Sequence, residues 1–395
     1  MLEMRGTHRE VGRQIGEAMK ARLQALAARE REDLPHGVAW NELLQQGQLY
    51  LARSRAVYPQ YVEEVEGIAE AAGLPSDQVF LWLCEELWEP AAWRTGGKGT
   101  APCFAPAALV LERSEGAGGP ALERSEGTEG GCAAPRRATK GCTDLVARGP
   151  ATADGSTLVA HTNDLGPEVE EDLVILKVQA GDEPEFLGVS VAGVGYSAGF
   201  NAAGISMTGN QVSCNDIRPG VPRLLCVRAI LAARRLEEAM NACLLPSRAS
   251  NYNNVIADAN GEVYSMEGSA TDCEPIYIEG DILAHANHYA SPPMRRFEAD
   301  RNEVGNSVIR HNRAWRLLRE NYGRLSPERF QLLLADHANY PGSICKHGLE
   351  SVTVFSLVIR LEERRAWIGK GRPCQTTYYE YALEPWQAPS DWPRR

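Results

Sequence analysis

The sequence predicts an α+β protein built from packed layers of antiparallel sheet and helix, and three observations predict it. Apolar residues recur at three- and four-residue intervals through roughly the first 95 positions, the spacing of amphipathic helices. After Gly141 the texture changes to short β-branched and alternating runs bounded by Gly, Asn-Gly and Asp-Gly. These strand-like runs come in clusters separated by helical blocks, whereas a parallel sheet would call for strict strand-helix alternation.

In order, helices are expected over 10–23 and 58–72, with a stop at Leu74-Pro75 and Ser76 as the next N-cap. From about 95 to 140, Gly, Ala, Pro, Glu and Arg replace the large apolar residues, and LERSEG occurs twice, at 111–116 and 122–127. Such a stretch has too little to bury and reads as a low-complexity linker. Beyond it, strands at 142–147 and 157–162 flank an Asp154-Gly155 turn as a hairpin, and runs at 173–178, 186–192 and 204–208 read as further strands. A helix over 222–245 precedes a second β group: 255–257 and 263–267, joined through Asn260-Gly261, then 276–278 and 282–285. Helices over 293–322 and 326–336 lead to a last strand pair, 352–361 and 365–368.

With 395 residues, 44% of them hydrophobic, the chain can bury a large core. Its formal charge of −11 argues against general affinity for nucleic acid or an anionic membrane, both of which rely on surplus Lys and Arg, so a small molecule is the expected partner. Charges from Glu3 onward leave no signal-peptide core, and no run approaches the ~20 apolar residues of a membrane span; a cytoplasmic protein is expected. Ten cysteines without short regular spacing read as small buried hydrophobes. No C-x-x-C pair occurs and the nearest ligand-like grouping is His285-x-x-His288, so no metal is expected.

Cys142 stands apart from the other cysteines, because a glycine precedes it, the low-complexity stretch lies upstream and a strand begins at the residue itself. Gly141 lacks a Cβ and can take strained backbone angles that help a thiol attack the preceding carbonyl. An N-to-S acyl shift followed by hydrolysis would leave Cys142 with a free α-amine, whose pKa of about 7.7–8.0 suits a general base near neutrality. Nucleophile and base would then be one residue. On chemistry alone a Gly-Cys pair is more often a packed strand start. His161, His285 and His288 keep a second reading open, in which an imidazole activates the thiol without maturation. The arginines between 295 and 319 read mainly as a solvated helix face, with coenzyme A phosphates as the other partner they could meet.

The stretches GCTD from Gly141, HTND from His161 and GFNAAGISMTGN from Gly199 resemble the acyl-CoA:6-aminopenicillanate (isopenicillin N) acyltransferase family, peptidase family C45. Further matches run through RGTHREVGRQIG from Arg5, YPQYVEEVEGIA from Tyr58, HANH from His285, NYPGSIC from Asn339 and GKGRP from Gly369. The resemblance implies a four-layer αββα N-terminal-nucleophile hydrolase fold. It also implies a precursor cut between Gly141 and Cys142 into fragments 1–141 and 142–395, which stay together as an αβ heterodimer forming one domain.

Position by position, the family's nucleophile falls on Cys142, its structural Asp on Asp164 and its oxyanion-hole Asn on Asn287. Thr162, Asn163, Asn210 and His288 are the candidate pocket residues. Two departures bear on substrate choice: Asn163 stands where the penicillin enzymes have an aromatic residue, and Leu349-Glu350 where they have a Ser-Arg pair. The implied activity is hydrolysis or transfer of the acyl group of a small amide or thioester through an acyl-Cys142 intermediate. No cofactor is implied beyond a coenzyme A thioester as candidate acyl donor. Two alternatives stay open: an uncleaved binding or scaffold protein on the same fold, and a hydrolase of β-alanyl amides such as carcinine.

Overall fold

Gly12 and Gly16 set how the first helical layer packs. They bring α1 (His8–Arg29) against α3 (Pro59–Ala72) so closely that a Cβ on Gly12 would stand 1.9 Å from the Glu64 carbonyl oxygen, and one on Gly16 2.4 Å from that of Ile68. Only glycine permits this backbone contact. Between and after them lie α2 (Trp40–Val57) and α4 (Ser76–Leu81). The computed structural model describes residues 1–29, 34–35, 37–93, 141–301 and 304–387, and the linker expected at about 95–140 lies outside the described residues.

The strands form two sheets. An eight-stranded sheet runs β1 (Leu2–Gly6), β4 (Leu173–Ala180), β5 (Phe186–Val191), β6 (Ala198–Asn201), β7 (Ile205–Asn210), β8 (Tyr252–Asp258), β9 (Val263–Gly268), β10 (Cys273–Tyr277). Its β1–β4 pair is parallel and the others antiparallel. The six-stranded sheet runs β11 (Ile282–His285), β2 (Gly141–Gly149), β3 (Gly155–Leu165), β12 (Val352–Arg360), β13 (Arg365–Lys370), β14 (Tyr379–Ala382), antiparallel throughout.

Three cores separate four layers. Helices α1, α3, α5 (Arg223–Leu231) and α6 (Leu236–Cys243) cover the eight-stranded sheet through Val11, Ile15, Ile68, Val178, Met207 and Ile256. The two sheets face each other over Val146, Val159, Leu187, Val255, Phe355 and Leu357. Helices α7 (Gly305–Glu320) and α8 (Pro327–Leu334) close the far side over Leu145, Ala160, Leu318 and Phe330. The layering is αββα, as expected. Each fully buried large apolar side chain contributes about 1.5–3 kcal/mol, so these interfaces carry the fold.

Strands β6 and β14 were not among the expected ones, and three further elements differ from the sequence expectation. β1 was not foreseen, because an edge strand that buries only Met4 has almost no apolar pattern. The single helix expected over 222–245 is two, since Asn201 Nδ2 donates to the carbonyls of Leu231 at 3.0 Å and Ala233 at 2.7 Å and so caps the first one. The helix expected from 293 begins only at Gly305, after a 3-10 turn at Met294–Phe297. Among the described residues no helix is long and apolar enough to cross a membrane.

Candidate active site

The β2–β3 hairpin builds the site. Its register pairs Gly141 with Asp164, Cys142 with Asn163, Thr143 with Thr162 and Asp144 with His161. Side chains alternate across a strand, and Leu145 and Ala160 face the α7/α8 layer while Val146 and Val159 face the other sheet. Cys142, Asp144, His161 and Asn163 therefore point between the sheets. Thr162 and Asp164 point to the helix side. Across the gap lies β7, in contact with both β2 and β3; its Ile205 and Met207 belong to the opposite core, so Ser206, Thr208 and Asn210 face the hairpin. At this end the sheet interface is lined by polar groups.

Cys142 is held at several atoms. Its backbone N–H donates to Asn287 Oδ1 at 2.8 Å, and its carbonyl oxygen accepts from Arg310 Nη1 at 2.5 Å. Arg310 also donates to Thr143 Oγ1 and Asn287 Oδ1, both at 2.8 Å, and to Asn306 Oδ1 at 2.9 Å. Two donors converging on Asn287 Oδ1 fix which end of that amide faces Cys142. Its Nδ2 donates to the Gln211 carbonyl at 3.0 Å. Asn287 thus presents an acceptor to Cys142, and the N–H expected to act on an oxyanion is engaged elsewhere.

His161 and Asp144 are both fully buried, with Nδ1 and Oδ1 2.7 Å apart. Burial opposes a charged ring, but the Asp144 carboxylate and the neighbouring Cys142 thiol outweigh it and raise His161 to about 10. His161 Nε2 and Asp144 Oδ2 make no hydrogen bond of good geometry, and the same is true of Asn163 Oδ1, Thr208 Oγ1 and Asn210 Nδ2. Unused buried hydrogen-bonding capacity gathers around the thiol.

On the helix side Asp164 Oδ1 accepts from Thr353 Oγ1 at 2.7 Å, and Oδ2 lies 3.5 Å from Lys346 Nζ. A Cβ on Gly141 would meet Lys346 Nζ at 2.6 Å and Asp164 Oδ2 at 2.7 Å. Gly141 is not among the positive-φ glycines. Space, and not the strained backbone expected from sequence, is what calls for glycine there.

The remaining candidates divide. Asn210 Oδ1 takes His285 Nδ1 at 2.8 Å and Asn253 Nδ2 at 3.2 Å, and His285 Nε2 meets Glu267 Oε1 at 2.7 Å, so Asn210 links the two sheets. His288 Nδ1 lies 2.7 Å from Ser307 Oγ, and burial followed by its neighbour His285 lowers it to about 4. Among the arginines, Arg310 sits on the buried stripe of α7 with Ser307, Ala314 and Leu317. Burial lowers its pKa from the usual value, and Asp164 and Cys142 work against the fall. Arg316 and Arg319 instead line a surface hollow with His311, Trp315 and Glu320 that includes none of the residues around Cys142. Sequence reasoning missed Arg310 and Asp144. Both carried a signal: Asp144 is two residues from Cys142 on a strand, and Arg310 falls at helical spacing among buried positions.

A cysteine starting a central strand between two sheets, within an αββα frame, is the class of site that fold and geometry define. The family model for acyl-coenzyme A:6-aminopenicillanic acid acyl-transferase matches residues 151–375, more than half of the chain. The chain belongs to that family. The 40 kDa form of the acyl-coenzyme A:6-aminopenicillanic-acid-acyltransferase of Emericella nidulans is 26% identical over 245 residues, which is 60% of this chain and 66%, just under two thirds, of the relative's length. Among solved structures, a mutant of the conjugated bile acid hydrolase from Clostridium perfringens aligns at 11% identity over 62% of this chain and 97% of that one, with a TM-score of 0.41. Penicillin V acylase from Agrobacterium tumefaciens aligns at 13% identity over 61% and 86%, with a TM-score of 0.35.

Proposed function

We propose that the chain cuts itself between Gly141 and Cys142 and then uses Cys142 as an N-terminal nucleophile to hydrolyse or transfer the acyl group of a small amide or thioester. Family membership supports the reaction class. The observation that carries the reading is the convergence on one residue: Asn287 on the Cys142 nitrogen, Arg310 on its carbonyl and the His161–Asp144 pair beside its thiol.

The pair answers a difficulty of the uncut chain. Before cleavage the Cys142 nitrogen is an amide and cannot act as base. The His161–Asp144 pair beside the thiol supplies one, His161 taking the thiol proton as the sulfur attacks. The thiolate attacks the Gly141 carbonyl carbon, and the C–N bond breaks as the nitrogen takes the proton from His161. Water then hydrolyses the thioester, leaving Gly141 as a C-terminal carboxylate and freeing the Cys142 thiol beside the α-amine released in the first step. From that point the amine, held by Asn287 Oδ1, takes the thiol proton when substrate is attacked. Release of an acyl group to water or to an acceptor amine completes turnover. Oxyanion stabilisation by Asn287 Nδ2 requires it to leave the Gln211 carbonyl. A coenzyme A thioester remains a candidate donor, and a β-alanyl amide a candidate substrate.

The test is intact mass followed by N-terminal sequencing of active protein. Two fragments are expected, the second beginning Cys142-Thr143-Asp144, and Cys142→Ala should give one full-length chain without turnover. Full-length chains in active wild-type protein would overturn the proposal, and an uncut, inactive wild type would favour a scaffold.

A further inference from the structure

Four side chains outside this site converge in a way that hydrogen bonding does not explain. His337, Cys345, His347 and Cys374 bring their donor atoms within 4.8 Å of one another. His347 Nε2 is the hub: His337 Nε2 lies 3.1 Å from it, Cys345 Sγ 3.4 Å and Cys374 Sγ 3.5 Å. One ring nitrogen carries either a single proton or a single lone pair, so it can satisfy at most one of these three neighbours. A tetrahedral ion with Zn–N of about 2.0–2.1 Å and Zn–S of about 2.3 Å holds its donor atoms roughly 3.3–3.8 Å apart; both sulfurs lie within that range of the hub, and His337 Nε2, at 3.1 Å, slightly closer.

The sequence hid the group because only Cys345-x-His347 is local. His337 comes from the turn after α8, and Cys374 from the turn after β13. Structure already holds these loops in place: the Cys345 N–H donates to the Asp336 carbonyl at 3.1 Å and that of His347 to the Pro341 carbonyl at 2.8 Å. Asp336 is in turn clamped by Arg313 at 2.5 Å. Cys345 is buried, His347 half-buried, and His337 and Cys374 exposed, so the cluster has a wet side by which an ion can enter.

We infer that His337, Cys345, His347 and Cys374 form a structural zinc site of the Cys2His2 type, clipping the β13–β14 turn onto the loop that follows α8. Two thiolates and two neutral imidazoles balance the charge of the divalent ion, and mixed sulfur and nitrogen donors in tetrahedral array select zinc among common metals. The clip reaches the other site through Lys346, which lies between two of the ligands and 3.5 Å from Asp164. It reaches it also through Asn306, whose Nδ2 donates to the Gly342 carbonyl at 2.6 Å while its Oδ1 accepts from Arg310. None of this depends on self-cleavage.

The experiment uses the full chain, expressed without a histidine tag and purified under reducing conditions without chelator. Elemental analysis should find about one zinc per chain, and Cys374→Ser and His337→Ala, both exposed positions, should each lower that several-fold while circular dichroism stays unchanged. After chelation, Co2+ should give a thiolate charge-transfer band and the intense visible bands of a tetrahedral site, both weakened in the variants. Wild type holding no more zinc than Cys374→Ser, a cobalt spectrum without thiolate character, or a Cys345–Cys374 disulfide by thiol counting would each overturn the assignment.

Discussion

The same two strands have opposite characters at their two ends. Toward the Asp154-Gly155 turn, β2 and β3 meet the facing sheet with Val146 and Val159, in a core shared with Leu187, Ala257 and Ile359. Two residues further along each strand the inward positions are Asp144 and His161, then Cys142 and Asn163, and the facing strand answers with Ser206, Thr208 and Asn210. Every one of these polar side chains is buried. The apolar end stabilises the fold, whereas buried polar groups with unmet hydrogen bonds cost about 1–3 kcal/mol each. Stability is given up where unmet polar groups gather, around one thiol.

The comparison breaks most severely if the charged pair is cut in half. His161→Ala leaves Asp144 buried and unpaired, and should slow self-cleavage by about 10²–10⁴-fold while costing about 3–5 kcal/mol of stability. Joint replacement, Asp144→Val with His161→Leu, extends the apolar end into the polar one. It should restore or raise stability by about 1–4 kcal/mol and still not cleave. Mass spectrometry of the products and urea melts of each variant separate the two effects; cleavage at the wild-type rate in the double variant would remove the pair from the chemistry.

Asn287 sharpens the contrast at one atom. Asn287→Asp keeps the acceptor for Cys142 N–H and Arg310 but loses the amide donor. It should still be processed, with kcat falling about a hundredfold. Undiminished kcat would mean that Nδ2 never meets an oxyanion. At the apolar end Ile359→Ala, level with Val159, should do the reverse: a loss of about 2–5 kcal/mol in unfolding free energy, with processing intact wherever the protein is folded. A further effect is a drift with pH. His161 is raised to about 10 from an ordinary value near 6.5, so its contribution is complete below about 6.5 and is lost as pH rises toward 10. The stability gap between wild type and the double variant should therefore move steadily in the variant's favour across that range, as read by urea midpoints at successive pH values.

Most of the frame was legible. Alternating runs gave the hairpin that carries Cys142, and Asn260-Gly261 gave the β8–β9 turn, because period-2 burial and turn chemistry are local properties. The αββα layering came from the resemblance and is met by the observed cores. Residues whose role lies in distant contacts were not legible. Lys346 faces Gly141 only because the loop after α8 folds back, and the cysteine and histidine cluster joins residues 337 and 374. Asn201 splits a helix some thirty positions away by taking its carbonyls, which no propensity records. Thr162 and Asn163, both expected in the pocket, point to opposite faces, as neighbours on a strand do.

β1 and the α1–α4 layer lie upstream of Gly141 in sequence, yet β1 pairs with β4 and the helices share a core with β4 to β9. If the proposed cut is made, the peptide bond that joins the segment before Cys142 to the sheet it completes is gone. An unfolded precursor can recover as one molecule, while an unfolded product must wait for two chains to meet. Recovery after denaturation should then depend on protein concentration for the cut form alone. The cut form would keep a shape that its own two pieces, mixed at high dilution, would not readily find again.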